Sequence, residues 1–538
     1  MVKEFFLGRS VRPVARLPAF CEERPVQQAA PGKDQATARA AGRGGLAIAV
    51  AKVSFILFGF AQQILLERLL GKDGYGEVSR VLVVVGIVNN VVVATSIQGV
   101  SRAVSAAPEA EAPATFARAL AVHAAIAVVL SAAFALAAGF IADAIGAPHV
   151  ATPLRLVASV VLLYGVYAPL VGSLNGRRRF LDQAGLDIGY GLMRTVGIAA
   201  GALVFLRAGA SGPLGAIAGF VTAAALIVPA ALVRAGIGKR GPGGPTAGEY
   251  LRFLAPLALG QASLNLLLQA DFLILSGVVG RAAARLGLAA KASDDLVGVY
   301  RGVQLFSFLP YQMLMSITFI LFPMLARARA ERDEAAVETY TRTGVRLALL
   351  LTGMMCGAVS ALGPHVLRFA FKDPSIAADG GAALRVLSLG MGAFSILGVT
   401  SAALTGLGRE RASAALTTAA ITLVAIGCMT FVPRAPFGAS MLLTSAISTS
   451  IALFAVAVGA AFVLQREAKG FVAPATLGRV LLALGVTLAV GSRLPWMGKV
   501  AVLGEAAVCA VIYLGVLVVT GELGKKDLAT VRKVLGRG

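Results

Sequence analysis

A small set of ionisable and amide side chains lies inside long apolar runs of this chain: Lys52, Gln63, Asn89, Asn90, Asp187, Arg194, Gln261, Asn265, Gln269, Asp271, Arg301, Gln304 and Arg385. Such groups are expensive in a low-dielectric setting unless they are paired or face water. Arg194 is the costliest placement, being central in a run with little else polar. A guanidinium there could hold an anion by bidentate hydrogen bonds, or lock two helices through an ion pair. Asp187, seven positions earlier, falls on the same helical face. Gln261, Asn265 and Gln269 form a stripe at helical spacing, suited to hydroxyl-rich ligands or to bonds between helices. Asp271 and Arg301 fall at similar depth on successive runs. They read either as a structural pair or as a switch, with Asp271 binding H⁺ or Na⁺ in one state and Arg301 in the other. Lys52 and Gln63 share a face that lines a cavity or, for the lysine, reaches the headgroups. Asn89 and Asn90 cannot both face one way, so one is expected to bond across helices. Arg385 joins the Asp271 cluster or snorkels.

The elements that must position these groups are set by composition. Of 538 residues, 57% are hydrophobic and only 14% charged, against roughly 25% in soluble domains. Mean hydropathy is +0.82. Too little charge is present to cover a soluble surface, so lipid must be the solvent. Apolar runs near 45–66, 81–105, 118–144, 153–175, 184–206, 213–234, 251–276, 297–323, 345–371, 381–405, 413–433, 437–464, 476–491 and 499–520 predict about fourteen transmembrane helices. The fold class is therefore all-α integral membrane. A β-barrel is excluded because the runs are continuously apolar.

The net charge of +22 is mostly topogenic. Basic clusters at Arg177-Arg178-Arg179, Lys239/Arg240, Arg327/Arg329/Arg332, Arg409/Arg411 and the C-terminal tail all fall on one side, which places both termini in the cytoplasm. A nucleic-acid role is not supported. Four cysteines and three histidines form no metal or disulfide pattern, and no P-loop occurs. No metal or cofactor is expected, and no loop is long enough for a catalytic domain. The chain divides into a disordered basic tail (1–44), an N-lobe (45–234), a Gly/Pro-rich linker (235–250), a C-lobe (251–464), two further spans (465–520) and a C-tail (521–538).

Two landmarks repeat. Gly71–Val78 (GKDGYGEV) has a counterpart in Val297–Gly302 (VGVYRG), with Tyr75 and Tyr300 about 225 positions apart. Leu174–Arg179 has a counterpart in Leu404–Arg409, with Gly176 and Gly406 about 230 apart. Six helices followed by six give a parallel repeat, with two helices appended.

The stretch 69–102, the stretch 271–300, the turn 404–409 and the tail 527–536 (DLATVRKVLG) resemble bacterial polysaccharide flippases. These are the Wzx-type transporters of the MOP superfamily, related to the lipid II flippase and to MATE antiporters. The resemblance implies two six-helix lobes around a V-shaped cavity, alternating access and an undecaprenyl-pyrophosphate-linked oligosaccharide as cargo. Within such a cavity, the intramembrane polar groups Lys52, Gln63, Asn89, Arg194, Gln261, Asn265, Gln269, Arg301 and Arg385 are the candidate substrate contacts, and Asp271 is the candidate ion-coupling group. It also implies a bacterial inner membrane, and a polysaccharide polymerase and chain-length proteins as candidate partners. Two alternatives stay open: a MATE-like ion-coupled antiporter and a flippase for the peptidoglycan precursor lipid II. An integral-membrane enzyme fits less well, because no long extracytoplasmic loop exists to carry a catalytic acidic pair, and a non-transporting scaffold is a weaker reading.

Overall fold

The computed structural model describes residues 33–239, 241, 244–468 and 471–524. Fifteen α-helices occur among them: α1 (Lys33–Ala106), α2 (Ala112–Ala144), α3 (Ala151–Gly176), α4 (Phe180–Arg207), α5 (Gly212–Ala235), α6 (Ala247–Arg285), α7 (Ala290–Ser307), α8 (Leu309–Ala330), α9 (Glu334–Ala361), α10 (Gly363–Ala370), α11 (Pro374–Gly406), α12 (Glu410–Phe431), α13 (Ala439–Ala468), α14 (Pro474–Gly491) and α15 (Ala501–Val519). Twelve are long and apolar enough to cross a bilayer.

The first is twice the length of a crossing and turns at Gly71, whose φ of 72° favours glycine. The expected first and second spans are therefore the two arms of α1. The eighth crossing is the α7–α8 pair, interrupted at Phe308 ahead of Pro310. Fourteen crossings result. The ninth expected span likewise breaks at Leu362, where Pro364 starts α10.

Helix α1 reaches back to Lys33, into the segment expected to be a disordered tail. Residues 1–32 and 525–538 lie outside the described residues, as does the tail stretch 527–536.

Packing follows the repeat. In the N-lobe α3 is the enclosed helix, flanked by α1, α2 and α5; in the C-lobe α11 is enclosed by α8, α9 and α13. Their membrane windows are the most buried in the chain, at 67% and 72%. The landmark glycines explain the match. A Cβ on Gly176 would lie 2.8 Å from the Ser101 carbonyl of α1, and one on Gly406 would lie 3.1 Å from the Phe322 carbonyl of α8. Each glycine thus lets the central helix of its lobe meet the equivalent neighbour backbone to backbone.

The appended helices α14 and α15 pack on α9. Two polar ties hold them. Glu522 accepts hydrogen bonds from Arg346, Thr476 and Arg479, and Glu505 bonds His365 at 2.6 Å.

The two membrane faces differ. One, here the kink face, carries Gly71, residues 145–150, 286–289 and 371–373. The other, the linker face, carries residues 107–111, 177–179, 236–239, 244–246, 331–333 and 407–409. Toward the kink face a single apolar core runs through both lobes. Toward the linker face the C-lobe has a separate core of α8, α9, α11 and α13 residues, including Leu321, Val345, Val399 and Leu464. The lobes are therefore fused at the kink face; toward the linker face α6 stays packed on the N-lobe, through His123–Tyr250 at 3.1 Å and Arg102 over the Phe253 ring, while α8, α9, α11 and α13 form a core of their own.

The fusion is closest where α1 crosses α7. A Cβ on Gly76 would fall 1.9 Å from the Asp294 carbonyl, and one on Gly298 would fall 2.2 Å from the Lys72 carbonyl. Neither position can accept a side chain without parting the lobes. Gly298→Val is expected to open the kink face, read as a gain in labelling there by a membrane-impermeant thiol reagent at a cysteine placed in the α1–α7 seam. Unchanged labelling would show that the crossing does not hold the lobes.

Candidate functional site: a cationic cleft between two lobes

The site is built from the arms of α1, α4 in the N-lobe, and α6 and α7 in the C-lobe. In the N-lobe, Arg194 on α4 is half-buried, with its guanidinium 4.9 Å from the Phe220 ring centre. Its Nε has no hydrogen-bond partner. Beside it lie Tyr164 and Tyr190, joined hydroxyl to hydroxyl and packed edge to face. The spacing with Asp187 does not produce an ion pair. Asp187 lies instead within electrostatic reach of Lys52 and Tyr167. Seven positions put the two groups on one face, but about two turns apart along it.

In the C-lobe, Asp271 is buried, at 3% exposure. Its carboxylate accepts hydrogen bonds from the Tyr300 hydroxyl at 2.6 Å, from Gln304 Nε2 at 3.0 Å and from the Phe272 backbone N–H at 2.8 Å. Tyr300 in turn accepts from Ser445 at 3.4 Å. Arg301 does not pair with Asp271 directly, contrary to the expected structural pair. Its Nη1 donates to Gln304 Oε1 at 3.0 Å, so the Gln304 amide stands between cation and carboxylate. Arg301 is near enough to Arg194 for the two charges to repel.

Other expected residues are placed as follows. Lys52 is exposed and Gln63 buried, so their shared face spans two environments. Asn90 bonds Asn265 at 2.9 Å across the lobes, and Asn265 also donates to the Gln261 carbonyl. Asn89, Gln63 and Gln269 each keep a buried side-chain oxygen without a partner. Arg385 is half-buried with an unpartnered Nε and does not join the Asp271 cluster. Among the described residues, Arg194, Arg301 and Arg385 form no ion pair with an acid.

The kink-face closure was not anticipated. Arg80 of α1 is fully buried, pairs with Asp294 of α7 at 3.0 Å, and bonds Ser293 and the Ile145 carbonyl. His149 reaches the other Asp294 oxygen at 3.0 Å. Glu67 accepts the backbone N–H groups of Lys372 and Asp373, and Lys291 pairs with Asp73. In sequence Arg80 looks like a headgroup arginine at the start of an apolar run. Only the partners supplied by α7 show otherwise.

The family model described as polysaccharide biosynthesis protein matches residues 41–329, more than half of the chain. The chain belongs to the polysaccharide biosynthesis protein family. This family's match covers the whole N-lobe together with α6, α7 and most of α8, and so includes both sides of the cationic cleft. A second model, MatE, matches residues 282–430. No curated protein matches the chain.

Among solved structures, the lipid II flippase MurJ in an inward closed conformation superposes with a TM-score of 0.69 at 13% identity, covering 88% of this chain and 97% of that one. A multidrug resistance MATE family transporter of the MOP superfamily, inward-facing, gives 0.58 at 15% identity over 78% and 99%. The outward-facing form of a MATE transporter gives 0.56 at 15% over 80% and 96%. This polysaccharide biosynthesis protein therefore shares the fold of those structures.

Proposed function

We propose that the protein is a flippase that carries an undecaprenyl-pyrophosphate-linked oligosaccharide from the inner to the outer leaflet by alternating access, for surface polysaccharide synthesis. The observation that supports this reading is the charge of the cleft. Arg194 from one lobe and Arg301 from the other lie within electrostatic reach of each other, neither forms an ion pair with an acid among the described residues, and the nearest carboxylate to Arg301, Asp271, is held off by the Gln304 amide. Two guanidiniums without an ion-pair partner in a weakly solvated cleft call for an anionic ligand. The stripe Gln261, Asn265 and Gln269, with Gln63 and Asn89, supplies partners for sugar hydroxyls. Lys52 and Arg385 extend the positive field toward the two faces.

On this reading the linker face is cytoplasmic, with both termini inside, in a bacterial inner membrane. The headgroup enters from that side, and the fused kink face is the closed outer gate. The N-lobe (45–234) and C-lobe (251–464) rock about the linker (235–250), with residues 465–520 as an attached pair. Asp271 is the ion-binding group of the site. Its oxygens are already engaged by three donors, which suits a proton better than a metal cation needing several oxygen ligands. Polymerase and chain-length proteins would receive the product.

The test is reconstitution into liposomes with a fluorescent sugar on a polyprenyl diphosphate. Outward movement is expected for this lipid, and not for the same sugar on a neutral polyprenyl carrier. Equal movement of both would sink the reading. The MatE match over 282–430 favours one alternative, an ion-coupled antiporter of small molecules. It would show as transport of organic cations and no lipid movement. A lipid II flippase would discriminate by glycan, moving the peptidoglycan precursor alone.

A further inference from the structure

Gln304 is fully buried and has charged or ionisable partners on both sides of its amide. Arg301 can only donate, and an ionised Asp271 can only accept. The amide between them therefore has one allowed orientation: Nε2 toward Asp271 and Oε1 toward Arg301, as the distances of 3.0 and 3.0 Å show. A glutamine is the one neutral side chain of this reach that offers a donor and an acceptor and can exchange them by turning 180° about its last bond. We infer that Gln304 is a positioning residue: its amide relays the protonation state of Asp271 to Arg301, holding the guanidinium while Asp271 is ionised and releasing it into the cleft when Asp271 is protonated. This rests on the reading of Arg301 as a contact for the anionic headgroup.

The steps balance without any covalent change beyond one proton transfer. A proton from water arrives on Asp271 Oδ1, the oxygen that faces Gln304. The new O–H cannot face the Nε2 hydrogens, so the amide turns and Oε1 accepts from Asp271. Nε2 now faces Arg301 Nη1, donor against donor, and the Arg301 bond is lost. Deprotonation reverses each step. A proton on Oδ2 would instead require Tyr300 to turn its hydroxyl to Ser445, a long 3.4 Å contact, so the amide is the easier group to reverse.

The groups facing this cluster are few. Tyr300, Arg301 and Gln304 come from α7, Cys428 from α12, and Ser445 and Thr449 from α13. Tyr75 of α1 and Arg194 of α4 act on Arg301, and Glu67 acts on Tyr75 while engaged by two backbone N–H groups. The ordinary phenol and thiol values lie above neutral pH, and guanidinium stays charged. Asp271 is thus the titrating member of the cluster itself.

The experiment measures binding of a short polyprenyl diphosphate capped by one sugar, whose charge does not change across the range, to the full-length protein in nanodiscs. Wild type is expected to bind about tenfold more tightly as pH falls from roughly 8 to 5, as a charge-assisted contact becomes available. Asp271→Asn, able to donate permanently to Oε1, is expected to bind tightly at every pH. Gln304→Met, similar in size and unable to hold Arg301, is expected to bind with no pH dependence. Gln304→Glu keeps Arg301 in an ion pair and is expected to bind weakly in the upper part of the range. A wild-type profile that is flat, or one that Gln304→Met retains, overturns the relay. Should Gln304→Met fail to fold, the opposed shifts of Asp271→Asn and Gln304→Glu decide the matter, and equal profiles in those two overturn it. Absence of binding by wild type at any pH instead overturns the headgroup reading of the cleft.

Discussion

Arg194→Ala and Arg301→Ala are each expected to abolish accumulation of surface polysaccharide while leaving the amount of membrane-inserted protein unchanged. The transport rate should fall at least about thirtyfold, since truncating one partner of a desolvated charge pair costs about 2–5 kcal/mol. The two residues lie on opposite lobes, so either loss leaves a headgroup held on one side only. Arg194→Lys separates charge from geometry. A lysine keeps the charge but not the planar fork, and its guanidinium stacking on Phe220 is lost as well. Recovery of less than about a tenth of wild-type transport is expected if bidentate contact matters. Transport by Arg194→Lys at the wild-type rate would rule out bidentate recognition. Full transport by both alanine variants would rule out the cationic cleft altogether.

The second large effect is expected at Arg80. This side chain has no exposed surface and meets Asp294, Ser293 and the Ile145 carbonyl. Removing one partner of a buried pair leaves an uncompensated charge, at a cost of about 3–5 kcal/mol. That cost falls on the kink-closed state, because Asp294 regains water when the lobes part. Arg80→Ala should therefore shift the population toward the kink-open state by a factor of about a hundred or more. In a background lacking Cys21, Cys356, Cys428 and Cys509, a cysteine replacing the buried Ala147 reports the change. Its labelling by an impermeant maleimide is expected to rise at least about tenfold with Arg80→Ala. Unchanged labelling would mean that backbone contact at Gly76 and Gly298 closes this face unaided.

Much of the fold is legible in the sequence because lipid imposes a simple rule. Each crossing must be a continuous apolar run, and every one of the fourteen expected spans falls on a helix. What the runs do not show is where a helix bends without leaving its pattern. The arms of α1 join through a single Gly71, and α9 passes into α10 at Leu362.

The candidate site was legible in part for a related reason. A charge such as Arg194 or Asp271 is conspicuous against apolar neighbours. Its partner is not, because helical spacing gives direction and not tertiary distance. Asp187 shares a face with Arg194 yet lies by Lys52. Asp271 and Arg301 share a depth yet are separated by Gln304. The amide stripe of α6 was visible as a pattern, but its bond to Asn90 depends on how the lobes meet. Arg80 was missed because the same residue type at the same position would ordinarily reach the headgroups.

The crossing of α1 and α7 has one more property. Gly76 meets the carbonyl four residues before Gly298, and Gly298 meets the carbonyl four residues before Gly76. That reciprocity is the signature of an isologous contact, in which one surface patch pairs with its own copy. Two separate six-helix chains, each carrying a single glycine of this kind, would associate through the same patch about a two-fold axis along the membrane normal. The kink-face seam of this protein is thus a homodimer interface carried within one polypeptide. Fusion would have freed its two sides to diverge, so that the carbonyl met by each glycine now belongs to Lys72 on one side and to Asp294 on the other.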